Sequence, residues 1–208
     1  IVDIWRSIGA DAHLVGSLKT GLLMKHKDID FHIYSPQVSV SESFAAISRI
    51  AENSHITRIE YGNLLQTEEQ CIEWHLFYCG ENVDDLWQID MIHIVKGSLY
   101  DGYFEKVAER ISKVLTPETR GMILKLKYET PDDTKIMGIE YCRAVLEGGV
   151  SSYGELTEWR KCNPVSGIES WRREWTYLNA GKEVIVKTVL GLTGVLPNQT
   201  RPQIGSYL

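Results

Sequence analysis

The 208-residue chain carries 22 Lys and Arg against 28 Asp and Glu, a formal charge of −6. That balance speaks against a broad nucleic-acid-binding surface, because phosphate backbones are held mainly by Lys and Arg; it leaves room for a local basic cleft. The length admits one large domain or two small ones, the composition is that of an ordinary globular protein, and no apolar run approaches the roughly 20 residues that span a bilayer.

Ile1, Ile4, Trp5 and Ile8 recur at helical spacing over residues 1–10. Asp3, Arg6 and Asp11 do not fit a secretory signal, and the first residue is Ile, which leaves room for an upstream piece. Residues 12–16 read as a short apolar strand ending in the turn Gly16-Ser17. Lys19, Gly21, Lys25 and Lys27 lead to a second strand over 28–34. On that strand Asp28 and Asp30 point to one face, while Ile29 and Phe31 point to the other. Like charges so close raise each other's pKa. A fold that builds such a pair usually neutralises it with a cation, and two Mg²⁺ ions suit carboxylate oxygens and nucleotide phosphates.

Ser39 with Glu42 predicts a capping box, opening a helix with Phe44, Ile47 and Ile50 on one face. Strands are expected over 56–61 and 71–79. In the second, Glu73, His75 and Phe77 alternate with Ile72, Trp74, Leu76 and Tyr78. Asp84-Asp85 marks a turn, and a strand over 86–95 follows. Asp90 stands in the middle of that apolar strand, where a carboxylate is costly to bury unless something pairs with it.

Beyond residue 101 the pattern turns helical. Phe104, Val107, Ile111 and Val114 make a stripe, and Thr116-Pro117 reads as N-cap and first helical residue. Thr130-Pro131 predicts a second such start, with Ile136, Ile139, Cys142 or Arg143, and Leu146 along a helix that stops at Gly148-Gly149. Ser152 with Glu155 caps another helix. Ser166 with Glu169 caps one carrying Trp171, Trp175 and Leu178, with Arg172 and Arg173 outside. Residues 184–190 fit either helix or strand, and the tail from Pro197 reads as irregular. The expected organisation is an α/β (α+β) domain over 1–100, with a mixed, partly antiparallel sheet backed by helices on one side, and a helical domain over 101–208. The four cysteines, Cys71, Cys79, Cys142 and Cys162, have no CxxC spacing and read as reduced thiols in a cytoplasmic protein.

Leu14-Val15-Gly16-Ser17 followed by Asp28-Ile29-Asp30-Phe31 resembles the motif of the DNA-polymerase-β-like nucleotidyltransferase superfamily, which includes antibiotic nucleotidyltransferases, tRNA-end and poly(A) polymerases and minimal nucleotidyltransferases. The motif covers some twenty residues of the N-terminal half. The resemblance implies transfer of a nucleoside monophosphate from an NTP, ATP foremost, to a hydroxyl, with release of pyrophosphate. Asp28, Asp30 and Asp90 would hold two Mg²⁺ ions, Asp90 also taking the proton of the attacking hydroxyl. Gly16 and Ser17 would receive the phosphates. Small-molecule members carry Gly-Ser-x-x-Arg-Gly; here Thr20 stands in the Arg position, and Lys19, Lys25 or Lys27 would have to supply the cation. The acidic balance favours a small molecule or a protein as acceptor over nucleic acid, without excluding a tRNA end. His32 shares the face of Asp30 and lines the expected site, with a structural role favoured over a catalytic one; His75 and His93 rank below it. A non-catalytic relative that binds nucleotide or a partner protein is the alternative.

Overall fold

The computed structural model describes residues 1–81, 85–165, 178–179 and 182–183. Two compact units divide after Arg120: Ile1–Arg120 and Gly121–Leu208.

The first unit is built on five strands: β1 (Asp11–Leu14), β2 (Asp28–Ser35), β3 (Ile56–Asn63), β4 (Cys71–Cys79) and β5 (Leu86–Val95). Their order is β1-β2-β5-β4-β3. β2 and β5 run parallel in the centre, and the remaining neighbours are antiparallel. The expected mixed, partly antiparallel sheet is therefore present. Alternation along each strand separates the faces. One face gathers Ile33, Ile72, Trp74, Leu76, Ile89 and Met91 into the core. There it meets α1 (Val2–Ser7) through Trp5 and α3 (Val40–Ala51) through Ala46, Ile47 and Ile50. Full burial of each such aliphatic side chain contributes about 1.5–3 kcal/mol. The Trp5 indole N–H points at the Met91 sulfur, 3.3 Å away, which seats α1 on the middle of β5.

α3 starts where its cap predicts: the Ser39 hydroxyl accepts from the Glu42 N–H at 3.3 Å. Its buried stripe is turned by one residue from the expected one. Ser43, Ala46, Ile47 and Ile50 are inside, and Phe44 stays partly in solvent at the rim, edge-on to Trp74. Ser43 can be inside because its hydroxyl accepts from the Trp74 indole N–H at 2.9 Å. α2 (Gly16–Thr20) and α4 (Tyr103–Val114) complete the unit, with α5 (Pro117–Glu129) beginning at its end. Helices were expected on one side of the sheet, and α1 and α3 lie there. α4 adds cover on the opposite face, where Phe104 stands edge-on to His32 and Glu105 accepts from the Tyr34 hydroxyl at 2.6 Å.

The second unit holds the rest of α5, α6 (Gly138–Leu146) and α7 (Tyr153–Cys162), with a two-residue ladder of β6 (Leu178–Asn179) on β7 (Lys182–Glu183). α5 opens at Thr116-Pro117, where the Thr116 hydroxyl accepts from the Thr119 N–H. Thr130-Pro131 does not open a helix. The Thr130 hydroxyl instead donates back to the Leu126 carbonyl at 2.8 Å, closing α5, and accepts from the Tyr141 hydroxyl at 2.8 Å. The next helix starts seven residues later, where the Glu140 carboxylate reaches back to the Met137 N–H at 2.8 Å. Its other oxygen accepts from Arg160 at 2.7 Å, tying the start of α6 to α7. The expected Ser152 cap is present. The expected helix over 166–178, with Trp171, Arg172, Arg173 and Trp175, and the segment 184–190 lie outside the described residues.

Candidate active site

β2 and β5 pair in register, with Asp28 opposite Gln88 and Asp30 opposite Asp90. Side chains directly opposite each other in a ladder project from the same face, and adjacent strands lie about 4.8 Å apart. Asp30 and Asp90, distant in sequence, thus stem from neighbouring backbone positions, with Asp28 two residues along on the same face. It is the face away from Trp5, Trp74 and Met91.

The glycine turn lies against this row. The Val15 N–H donates to the Asp30 carbonyl at 2.9 Å, which brings the end of β1 alongside β2. Gly16 follows with φ +67°, a left-handed conformation open to glycine at little cost. A Cβ at Gly16 would occupy the position of the Asp30 carboxylate. The turn and Asp30 are therefore in contact through the missing side chain, and Ser17 is the next residue of α2.

The cations of this loop are placed differently. Lys19 is exposed on the last turn of α2. Lys27 pairs with Asp85 at 2.6 Å, and Asp85 also accepts from the Trp87 indole at 3.1 Å; Lys27 beside it holds the Asp85 carboxyl below its usual range. Asp85 thus has its own partners just ahead of β5. Thr20 is buried, its hydroxyl within reach of the Gly16 and Ser17 carbonyls at 3.1 and 3.2 Å, so it closes the short helix. A guanidinium arrives from elsewhere: Arg120 Nη1 donates to the Thr20 and Gly21 carbonyls at 2.8 and 2.7 Å. Gly21 has φ +68°, and a Cβ there would strike that guanidinium.

Asp90 has two donors the sequence reading did not assign to it. His75 stands opposite Asp90 across the β4–β5 ladder, and its Nδ1–H donates to Asp90 Oδ1 at 2.7 Å. The Gln88 amide donates to Oδ1 at 2.8 Å and to Oδ2 at 3.1 Å. The hydrogen bond to Asp90 raises the His75 pKa, against the desolvation that lowers it. Glu73, two residues before His75 on the same face, is pushed up by its own desolvation. The signal for His75 was present in the alternation of Glu73, His75 and Phe77. The β4–β5 register was needed to say which of them meets Asp90.

His32 has a structural environment. Burial pushes its pKa down to about 4. It is packed against Phe104, with the Tyr34 hydroxyl 3.4 Å from its Nδ1. A neutral, enclosed imidazole of this kind serves packing. His93 is likewise buried, on the core face, beside the Ser35 and Ser43 hydroxyls at 2.8 and 3.2 Å.

Among the described residues, no group of three or more His, Cys, Asp or Glu side chains is close enough together to hold a metal ion. The three carboxylates Asp28, Asp30 and Asp90 do share one face beside Gly16, and carboxylate oxygens are the donor type that hard divalent cations prefer. Among the described residues, no helix is long and apolar enough to cross a membrane.

Neither a protein-family model nor a curated protein sequence matches the chain. Solved structures of similar fold include a cytoplasmic RNA terminal U-transferase, at TM-score 0.45 and 16% identity over 69% of this chain and 41% of that one. Cid1 poly(U) polymerase bound to MgGTP aligns at TM-score 0.49 and 16% identity, over 70% of this chain and 47% of that one. The same polymerase with the UTP analogue UMPNPP aligns at 0.47 and 14%, over 70% and 44%. These neighbours belong to the DNA-polymerase-β-like nucleotidyltransferase superfamily, to which the Gly16–Asp30 motif also bears resemblance. The chain spans less than half the length of each. At these identities and scores the likeness is one of fold alone.

Proposed function

We propose that the chain is a nucleotidyltransferase, moving a nucleoside monophosphate from an NTP, ATP foremost, to the hydroxyl of a small molecule or protein. The observation that carries this reading is the β2–β5 register: it sets Asp30 beside Asp90, with Asp28 on the same face and Gly16 against Asp30. Isolated Asp-x-Asp pairs are common on solvated strands. A pair joined by a third carboxylate and a side-chain-free corner is built for a polyphosphate and its cations.

Asp28, Asp30 and Asp90 would hold two Mg²⁺ ions, which when bound offset phosphate charge and acidify the attacking hydroxyl. The turn at Gly16 lets phosphate oxygens approach backbone, and Ser17 adds its N–H and hydroxyl. The acceptor oxygen forms a bond to the α-phosphorus while the bond from that phosphorus to the bridging oxygen breaks, and pyrophosphate departs. The proton of the acceptor hydroxyl passes to the Asp90 carboxylate.

The replacement of Arg by Thr20, buried and bonded within α2, favours a second reading in which nucleotide is bound without transfer. One experiment separates the two. The chain is titrated with ATP with and without Mg²⁺, then incubated with α-labelled NTPs and a panel of small hydroxyl compounds, proteins and RNA 3′ ends. The enzyme reading expects metal-dependent binding and label in an acceptor, both lost in Asp28→Asn/Asp30→Asn. Metal-dependent binding with no labelled product across the panel supports the binding protein. Equal binding of the metal–nucleotide complex by the double variant shows that the proposed site is wrong and overturns the enzyme reading.

A further inference from the structure

We propose that His75 and Gln88 are positioning residues that fix the Asp90 carboxylate for metal binding; this rests on the nucleotidyltransferase reading. A carboxylate on a strand can rotate about χ2 and present either oxygen, or both, to a ligand. In this structure that freedom is taken up. Oδ1 accepts from His75 at 2.7 Å and from Gln88 at 2.8 Å, which engages its two lone-pair directions. Oδ2 receives the longer 3.1 Å contact from Gln88. The two donors come from different strands, one across the β4–β5 ladder and one two positions back along β5. Both are set by backbone register, so the clamp forms together with the sheet. The Asp90 side chain is 14% exposed and that of His75 10%, so water is a poor substitute for either bond. The arrangement leaves Oδ2, with only the longer contact, as the oxygen open both to a cation shared with the β2 carboxylates and to the proton of the acceptor hydroxyl.

Groups that hold and orient a metal-binding carboxylate typically change metal affinity or activity 10- to 100-fold when removed. The clamp therefore predicts a graded series in the full chain. Mn²⁺ binding is read by electron paramagnetic resonance without any acceptor, and kcat and KM for ATP are read separately. His75→Asn keeps an N–H donor near the place of Nδ1 and should bind Mn²⁺ within about threefold of wild type. His75→Phe keeps a ring without the donor and should weaken Mn²⁺ by about 10- to 100-fold, with kcat falling and KM for ATP little changed. Gln88→Leu should show a smaller loss in the same direction. Thermal unfolding midpoints are recorded so that lost fold is not mistaken for lost metal.

Equal losses in His75→Asn and His75→Phe would assign His75 to packing and overturn the clamp. Wild-type Mn²⁺ affinity in His75→Phe, with binding abolished in Asp90→Asn, overturns the clamp and leaves the nucleotidyltransferase reading standing. Should the wild-type chain bind no Mn²⁺ with or without ATP, the reading fails and the clamp with it.

Discussion

The same strands carry two unlike surfaces. On one, Ile33, Ile72, Trp74, Leu76 and Met91 are almost wholly out of solvent and meet α1 and α3. On the other, the intervening residues at one end are Asp28, Asp30, Glu73, His75, Gln88 and Asp90, while Tyr34, Cys71 and Ile94 at the other end are buried in a smaller apolar cluster. A period of two along the chain is enough to write both. The difference teaches where stability and chemistry reside: substitutions one residue apart should fall on different observables.

Leu76→Ala is the sharpest way to test that separation. It empties a fully buried site between Ile59 and Ile89 and should cost about 2–5 kcal/mol in denaturant unfolding. Asp28→Asn, on the other face, should change stability by about 1 kcal/mol or less while removing metal-dependent nucleotide binding. Comparable destabilisation by the two would erase the distinction between faces.

The next effect is one of pH. Burial pushes the His93 pKa down to about 4, from an ordinary 6.5. Below about pH 6.5 the unfolded chain takes up a proton that the folded chain refuses. Stability is thus fully present above that pH and is lost as pH falls toward 4, by about 3 kcal/mol in total. His93→Gln should roughly halve this part of the stability profile, because buried His32, also pushed down to about 4, titrates over the same window. An unchanged slope in that variant would move the effect to another group.

Smaller still is Gly16→Ala. A left-handed alanine costs about 1–2 kcal/mol, and its methyl must displace the Asp30 carboxylate. Nucleotide affinity should fall more than the unfolding midpoint does. A variant that loses stability alone would separate the turn from the acidic row.

Much of the sheet was legible in the residues. β5 follows its apolar run, β2 its alternation, and α3 its Ser39 cap, because each signal is local. The pairing of Asp30 with Asp90 could be expected from the motif resemblance, but its register is a product of the sheet. The role of His75 was hidden for the same reason: alternation gives a face, and only pairing gives a partner. Thr130-Pro131 misled because a Thr hydroxyl can close the preceding helix as readily as open the next, and Tyr141 favoured closure. Phe44 misled because a serine with a buried indole donor competes for the inner position.

The parallel junction of β2 and β5 also has a history in time. During synthesis β2 emerges early and meets β1 first, as a local antiparallel pair. Its central neighbour is made roughly sixty residues later, about 3–12 s at ordinary ribosomal speeds. The acidic row is therefore complete only once the last strand of the five-stranded sheet is made, and a ribosome halted before β5 would display a half-dressed β2 without its parallel neighbour.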